Sequence, residues 1–310
     1  MTTLNRKIIP PRRNVVHSVG GYEHGVETNV AAEVKRDIER KLNASELEAP
    51  TLPHVANKIL QISNDPAVGM EEIQQVVQGE PFIAGKVLSL VNSAFYSGRQ
   101  RVGSLKQALV FLGLKTLRDI IFSVSLHQKI FKAKRYENLM EGNWAHSIGS
   151  ATASGLIAER LRVEKESAYL CGLLHDIGRT VLLHSIVGIE DTTLKGKELG
   201  EESVTVLIDD FHELVGGYVA VKWKLPPNMI ESIKMHHHPD RSREHRVLTS
   251  IIYAGDRIAR HVGFGGEECP CDFKLDRVFN ELKISDDEVI NPIVEATREQ
   301  GHAFLNAFSA

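Results

Sequence analysis

Apolar residues recur at intervals of three and four along most of this chain, and this spacing constrains its fold more than any other feature. Leu52, Val55, Ile59 and Ile62 follow it in one early stretch, and later stretches repeat it. Strand-like alternation is scarce, and aromatic residues make up only 6% of the chain. Because the helical period gathers such residues on one face, the spacing predicts an all-α protein.

The composition excludes several classes of protein. The 310 residues are 42% hydrophobic with a formal charge of −3, which predicts a folded core and argues against a nucleic-acid binder held by phosphate neutralisation. No apolar run approaches the roughly 18 residues of a membrane span, and the N-terminus lacks the apolar stretch of a signal peptide. The three cysteines form no even disulfide framework. A cytoplasmic protein without a membrane partner is expected.

The chain divides by its local patterns. Residues 1–28 mix Pro, Arg and Gly without periodicity, which predicts a flexible N-terminal arm. Helical patterns then fill 29–130 and 131–265, and 266–310 is predicted to be a helical C-terminal extension. The helical stretch 144–161 is rich in Gly, Ser and Ala, which predicts close packing against its neighbours because glycine alone costs about 1 kcal/mol in a helix.

The segment LCGLLHDIGR places a histidine and a carboxylate, His175 and Asp176, among apolar residues. The apolar residues around them are spaced by four, three and four and predict one core helix running toward His184: Leu170, Leu174, Ile177 and Val181. An unpaired carboxylate in such surroundings is costly. Asp176 is therefore expected to be paired, protonated or bound to a metal ion.

Further metal-binding candidates lie on other predicted helices and are flanked by apolar residues: His146, His212, His236, His237 and Asp256. Each has a simpler explanation when taken alone, such as a hydrogen-bonded core histidine, a solvated helix end, or an ion pair between Asp256 and Arg257. Together with His175 and Asp176 they form a stronger pattern.

The order of these residues resembles the metal-binding signature of the HD superfamily of phosphohydrolases. The segments LPHVANKILQISNDPAVGMEEIQQVV and VGSLKQALVFLGLKTLRDII narrow the resemblance to the HDOD family, a bacterial signal-transduction output domain related to HD and HD-GYP domains. Further matches are GLLHDIGRTVLL, WKLP at 223–226 and MHHHP at 235–239. The resemblance covers about residues 46–265.

This resemblance implies an all-α fold with an N-terminal helical part at 29–130 and an HD-like part carrying a metal site at 131–265. It implies one or two divalent ions, with Asp176 shared between them, and the donor set suits Fe, Mn, Zn or Ni. The implied ligands are His146, His175, Asp176, His212, His236, His237 and Asp256. In an active member, Asp176 and Arg179 would be the catalytic residues.

The chain also departs from the hydrolase pattern. The paired histidines continue as HHHPDRSREH, without the GYP segment of cyclic di-GMP phosphodiesterases. Arg179 replaces their usual lysine, and Gly142 occupies the position where three-metal relatives have an acid. Two functions remain open. The first is a signalling output or adaptor module that binds a protein partner or a nucleotide, and the second is a metal-dependent phosphohydrolase acting as a phosphodiesterase or nucleotidase.

A second candidate ligand site consists of polar residues that follow a predicted apolar helix: Asn92, Ser93, Tyr96 and Arg99. They are expected either to face a ligand groove or to form the turn that ends the helix.

Overall fold

The computed structural model describes residues 24–63, 70–93, 102–132 and 135–309. All regular elements within these ranges are helices, and none of them is a strand, which confirms the predicted all-α fold. The N-terminal helices are α1 (His24–Asn43), α2 (His54–Ser63), α3 (Met70–Gln78), α4 (Pro81–Val91), α5 (Leu105–Leu112) and α6 (Leu114–Lys129). The remaining helices are α7 (Glu137–Leu161), α8 (Lys165–Leu174), α9 (Ile177–Thr192), α10 (Glu201–Lys222), α11 (Pro227–Met235), a short 3-10 helix (Pro239–Arg241), α12 (Arg246–His261), α13 (Arg277–Glu281) and α14 (Asp287–Ser309).

Helix α1 begins at His24, within the stretch 1–28 that was predicted to be an arm. Residues 1–23 lie outside the described residues. The predicted C-terminal extension contains two helices, α13 and α14.

One connected set of buried apolar side chains runs from Val34 in α1 to Phe308 in α14. Ile121 of α6 and Leu183 of α9 both belong to it. The helices on either side of the predicted boundary between residues 130 and 131 therefore share one hydrophobic core. A second, smaller set includes Phe264 and lies between α7, α12, α13 and α14.

Small residues let two helices pack closely against α7. A Cβ atom on Gly172 of α8 would lie 2.8 Å from the Cα of Ala151, and one on Gly255 of α12 would lie 2.2 Å from Ser154 Oγ. At these distances, any residue with a Cβ atom would force a neighbouring atom of α7 to move. The glycine, serine and alanine content of α7 is thus matched by glycines on the helices that pack against it.

The predicted core helix through residues 170–184 is wrong in one respect, because it is two helices. Helix α8 ends at Leu174 and α9 begins at Ile177, with His175 and Asp176 in the turn between them. Asp176 has a non-helical backbone, with φ −100° and ψ 18°. Immediately after the turn, Gly178 lies against α10, where an added Cβ would be 2.0 Å from the carbonyl oxygen of His212. The turn places His175 and Asp176 beside histidines of the neighbouring helices.

The region of this turn is also a long apolar stretch. Residues 167–192 reach the length and mean hydropathy, 1.2, of a membrane-spanning helix. However, 78% of the apolar window is buried inside the fold, as expected for the central helices of a packed core.

Helix α14 returns to the N-terminal helices at its far end. The ring of Phe308 packs edge-on against His127 of α6, with ring centroids 4.4 Å apart. Lys86 of α4 donates a hydrogen bond of 2.8 Å to the Phe308 carbonyl oxygen.

Candidate metal centre

The seven side chains predicted to bind metal lie together in the structure, although they come from five separate parts of the chain. His146 lies on α7, His212 on α10 and Asp256 on α12, while His175 and Asp176 form the α8–α9 turn. His236 and His237 follow the last residue of α11. All are buried except His237, whose side chain is 28% exposed.

Asp176 belongs to two adjoining groups of potential ligand atoms, each gathered within 4.8 Å. One group contains His212, His236 and His237, and the other contains His146 and His175. Oδ1 of Asp176 lies 3.5 Å from His212 Nε2 and 3.4 Å from His236 Nε2. Its Oδ2 lies 3.5 Å from His175 Nε2 and 3.8 Å from His146 Nε2. Each oxygen of this carboxylate therefore faces one group.

Asp256 borders the same two groups from α12. Its Oδ1 lies 2.8 Å from His146 Nε2 and 3.7 Å from His175 Nε2. Its Oδ2 lies 4.0 Å from His237 Nδ1. The two carboxylates thus lie among five imidazoles.

Backbone carbonyl groups orient four of the imidazoles. The Nδ1 atoms of His175 and His236 lie 2.7 Å from the carbonyl oxygens of Gly172 and Ile233, and His212 Nδ1 lies 3.1 Å from that of Asp209. His146 Nδ1 lies 3.3 Å from the Phe264 carbonyl oxygen. Because a carbonyl oxygen only accepts, each Nδ1 carries the hydrogen and donates it. The Nε2 lone pairs of His175, His212 and His236 are left facing the carboxylates, which is how metal-binding histidines are commonly held. His146 Nε2 instead forms a hydrogen bond of 2.8 Å with Asp256 Oδ1.

Several of the inward-facing atoms are buried without a hydrogen bond from any described residue: His175 Nε2, His236 Nε2 and both carboxylate oxygens of Asp176. Buried polar atoms normally have partners, and leaving several unpaired in one place is costly. All of them carry lone pairs. A cation bound between them would satisfy all of them at once, so the donor set fits a divalent metal ion.

The electrostatics keep both acids ionised. Burial alone raises the pKa of Asp176, but the charge of Arg179 and the neighbouring histidines outweigh burial and hold that pKa well below its usual range. Burial likewise opposes ionisation of Asp256, yet His146, His175 and Arg260 hold its pKa low. Burial lowers the pKa of His237 to about 2, which leaves this imidazole neutral and able to bind metal.

Two arginines flank the carboxylates. Arg179 Nε lies 2.9 Å from Asp176 Oδ2, although its N–H is not aligned for a hydrogen bond, and Arg179 Nη2 donates to Asp209 at 2.6 Å. Arg260 Nε donates to Asp256 Oδ1 at 2.9 Å. Arg260 was not among the residues predicted from the sequence, although its position four residues after Asp256 on one helix was a signal for it.

A cavity of about 350 Å³ reaches the centre from the surface. His146 and Asp176 line it together with Arg179, Arg260, Asn143 and the backbone of Gly265. A ligand in this cavity would meet one edge of the metal-ligand cluster and both guanidinium groups.

In the second predicted site, backbone groups bind the amide of Asn92, although this residue also lines a cavity together with Ser93 and Gly103. Asn92 Nδ2 donates to the carbonyl oxygens of Leu88 and Val102, and Asn92 Oδ1 accepts from the Val102 N–H, each at 2.8 Å. Its amide therefore joins the end of α4 to the segment that precedes α5. Tyr96 and Arg99 lie outside the described residues.

Comparison with known proteins identifies the family. The HDOD domain matches residues 49–239. An uncharacterised protein of Treponema pallidum is 26% identical over 241 residues, covering 71% of this chain and 45% of the relative. Ribonuclease Y of Mycoplasma capricolum is 28% identical over 154 residues, covering 49% of this chain and 26% of the enzyme. The chain therefore spans less than half the length of each of these relatives.

A solved structure shows the same fold. A candidate metal-dependent phosphohydrolase from Shewanella amazonensis SB2B superposes with a TM-score of 0.68 at 18% identity, covering 90% of this chain and 99% of that protein. At this identity the likeness shows the fold alone. The family match, in contrast, covers more than half of the sequence and includes the turn that carries His175 and Asp176. The chain belongs to the HDOD family.

Proposed function

We propose that this protein is a signal-transduction output module whose HD-type centre binds one or two divalent metal ions. One observation carries the metal assignment: four buried imidazoles donate Nδ1–H to backbone carbonyls and present Nε2 to two ionised carboxylates. Membership of the HDOD family supports the signalling role. We expect the module to act in the cytoplasm through a protein partner or a nucleotide.

The proposed ligands are the seven residues of the centre, with Asp176 as the carboxylate shared between two ions. Five imidazoles and two carboxylates favour Fe, Mn, Zn or Ni over Ca, which prefers a shell made of oxygen atoms. A divalent ion bound here would act as a Lewis acid toward a phosphoryl oxygen.

With two bound ions, the charges around the cavity support an anionic ligand. With neutral histidines, Asp176, Asp209, Asp256 and the cavity-lining Glu267 carry four negative charges against the two positive charges of Arg179 and Arg260, a balance of −2. One divalent ion changes this balance to zero and two change it to +2. Arg179 and Arg260 would then be free to orient a phosphate group, because their guanidinium donors suit its oxygens.

The metal content of the protein purified without added ions tests the proposal. We expect close to one or two ions per chain by elemental analysis, and a loss of at least about 10-fold in His236→Ala. His54→Ala, which changes an exposed histidine on α2, is the matched control and should keep its metal. Fewer than about 0.2 ions per chain in the unmodified protein would contradict the proposal.

A phosphohydrolase is the second candidate, because the cavity opens directly onto Asp176 and His146 beside the two arginines. The names of the Shewanella and Mycoplasma relatives favour the same chemistry. In this case Asp176 would help to hold the metal ions at the reacting phosphate, and Arg179 would bind the phosphate oxygens. The test is a panel of phosphodiesters and nucleotides hydrolysed by the metal-loaded protein and by His175→Ala. Equal rates in the two proteins would exclude hydrolysis at this centre.

A further inference from the structure

The loop that follows α12 connects the metal centre to the C-terminal helix through one aromatic residue. Phe264 is 4% exposed, and its ring lies between two glycines, Gly149 on α7 and Gly301 on α14. An added Cβ would lie 2.5 Å from the ring at Gly149 and 2.3 Å from it at Gly301. The ring therefore occupies space that both helices leave open by having no side chain there.

The backbone of the same residue contacts the centre. The Phe264 carbonyl oxygen accepts from His146 Nδ1–H at 3.3 Å and so directs His146 Nε2 inward. The next residue, Gly265, has a φ of +87°, and an added Cβ there would be 2.8 Å from His146 Cβ. The position of the Phe264 ring thus fixes the carbonyl group that orients one imidazole of the proposed metal centre.

Helix α14 holds this loop from outside. His302 stacks on the Phe264 ring, with centroids 4.6 Å apart, and Arg298 donates to Glu268 at 2.8 Å. At the far end of α14, the ring of Phe308 packs on His127, and the Phe308 carbonyl oxygen accepts a hydrogen bond from Lys86 of α4. One helix therefore touches both the N-terminal helices and the loop that orients His146.

We propose that Phe264 is a positioning residue for His146, and that α14 couples the N-terminal helices to metal binding through it. This inference rests on the proposed metal site and adds a means of regulating it. A partner that displaces the end of α14 on α4 and α6 would shift Phe264 and weaken the hold of His146 on its ion. Residues around a metal ligand commonly change the affinity about 10- to 100-fold.

The test is a calorimetric titration of the metal-free protein with Mn²⁺, which measures the affinity for the ion. Gly301→Ala places a methyl group against the Phe264 ring and should weaken binding at least about 10-fold. Gly188→Ala is the matched control, because this glycine on α9 has open space around it and should bind Mn²⁺ as the unmodified protein does. Each variant is first checked for a cooperative melting transition. If Gly301→Ala does not fold, Phe264→Leu makes the same test by removing the ring.

Two further variants distinguish an effect that acts through the position of His146 from a non-specific disturbance of the fold. In a His146→Ala background, Gly301→Ala should have no additional effect on affinity, because its route to the metal is already removed. Combining Gly301→Ala with Phe264→Leu should bind Mn²⁺ more tightly than Gly301→Ala alone, because the smaller side chain relieves the contact. The role of Phe264 would be overturned if Gly301→Ala and His146→Ala lowered the affinity for Mn²⁺ additively when combined. It would also be overturned if a folded Gly301→Ala protein kept its affinity unchanged.

Phe308→Ala tests the coupling to the N-terminal helices. Its affinity for Mn²⁺ should fall at least about three-fold, although residue 308 is distant in sequence from every ligand. Unchanged affinity would overturn the coupling. If the unmodified protein bound none of Mn²⁺, Fe²⁺, Zn²⁺ and Ni²⁺ in the same titration, the proposed metal site itself would be overturned, so the two failures are distinguishable.

Discussion

At the scale of the residue, Asp176 is a buried carboxylate in a demanding environment. It is 2% exposed, remains ionised, and faces four imidazole nitrogens with its two oxygens. A pattern of apolar neighbours indicated that this carboxylate needed a partner. The identity of its partners came from the family resemblance, because spacing alone cannot bring His146 and Asp256 to the same point. The carbonyl group that orients His146 was missed, because Phe264 lies 118 residues further along the chain.

Replacing Asp176 by Asn tests its proposed shared position. The amide has nearly the same size but lacks the charge, so both proposed ions should be lost and the metal content should fall at least about 10-fold. Asp209→Asn is the control, because this exposed carboxylate pairs with Arg179 outside the cluster. Retention of metal by Asp176→Asn, measured by elemental analysis, would show that the carboxylate is not a ligand.

His127 should make stability depend on pH. Burial against Trp144 and Phe308, assisted by the charges of Lys132 and Lys86, lowers its pKa from 6.5 to about 4. Between these values the unfolded chain binds a proton that the folded chain does not. The stability provided by neutral His127 is therefore complete above pH 6.5 and is lost as the pH falls toward about 4.

The variant His127→Phe keeps a ring but cannot titrate. Between about pH 7 and 5, its free energy of unfolding should therefore fall by about 1 kcal/mol less than that of the unmodified protein. The measurement is urea unfolding of both proteins at the two pH values. Parallel losses in the two proteins would mean that His127 is protonated in the folded state as readily as in the unfolded state.

At the scale of the element, the break between α8 and α9 determines where the centre forms. The helices themselves were predictable, because apolar residues follow the helical period. The break was not, because Leu170, Leu174, Ile177 and Val181 keep that period across the turn. Directly after the break, Gly178 makes a close contact with another helix at the His212 carbonyl group. Such a contact between distant segments leaves no local signal except the glycine.

Two glycines of α9 provide a matched pair of substitutions. A Cβ at Gly178 would lie 2.0 Å from the His212 carbonyl oxygen, whereas Gly188 has nothing within 4 Å. Gly178→Ala should lower the free energy of unfolding by about 3 kcal/mol or more. Gly188→Ala should raise it by up to about 1 kcal/mol, because alanine favours the helix. Chemical denaturation measures both, and equal effects would mean that α9 and α10 do not pack this closely.

At the scale of the whole molecule, the proposed ligands tie together helices that span residues 146–256. The sequence patterns predicted the helical class and a buried core. The convergence of the seven side chains followed from the resemblance to a known family. The packing of α14 on the N-terminal helices was not foreseen, since its apolar face is compatible with many neighbours.

Metal binding should therefore stabilise the entire fold. An ion that binds only the folded state adds about 2.7 kcal/mol at a free concentration of about 100 times Kd. The melting temperature should rise by about 5 °C when Mn²⁺ is added and fall again with a chelator. His236→Ala should show no such rise relative to its own metal-free melting temperature. A rise of equal size in that variant would place the stabilising ion elsewhere.

The meeting of two glycines limits how this centre could change over evolution. An added Cβ on Gly142 would lie 3.1 Å from the Gly265 carbonyl oxygen, and one on Gly265 would lie 2.7 Å from the Gly142 carbonyl oxygen. An acid one turn ahead of His146 would thus have to displace, by a few tenths of an ångström, the backbone of the loop whose carbonyl group orients the imidazole. A lineage of this protein that gained a third metal ligand at position 142 would therefore be expected to adjust the loop at position 265 as well.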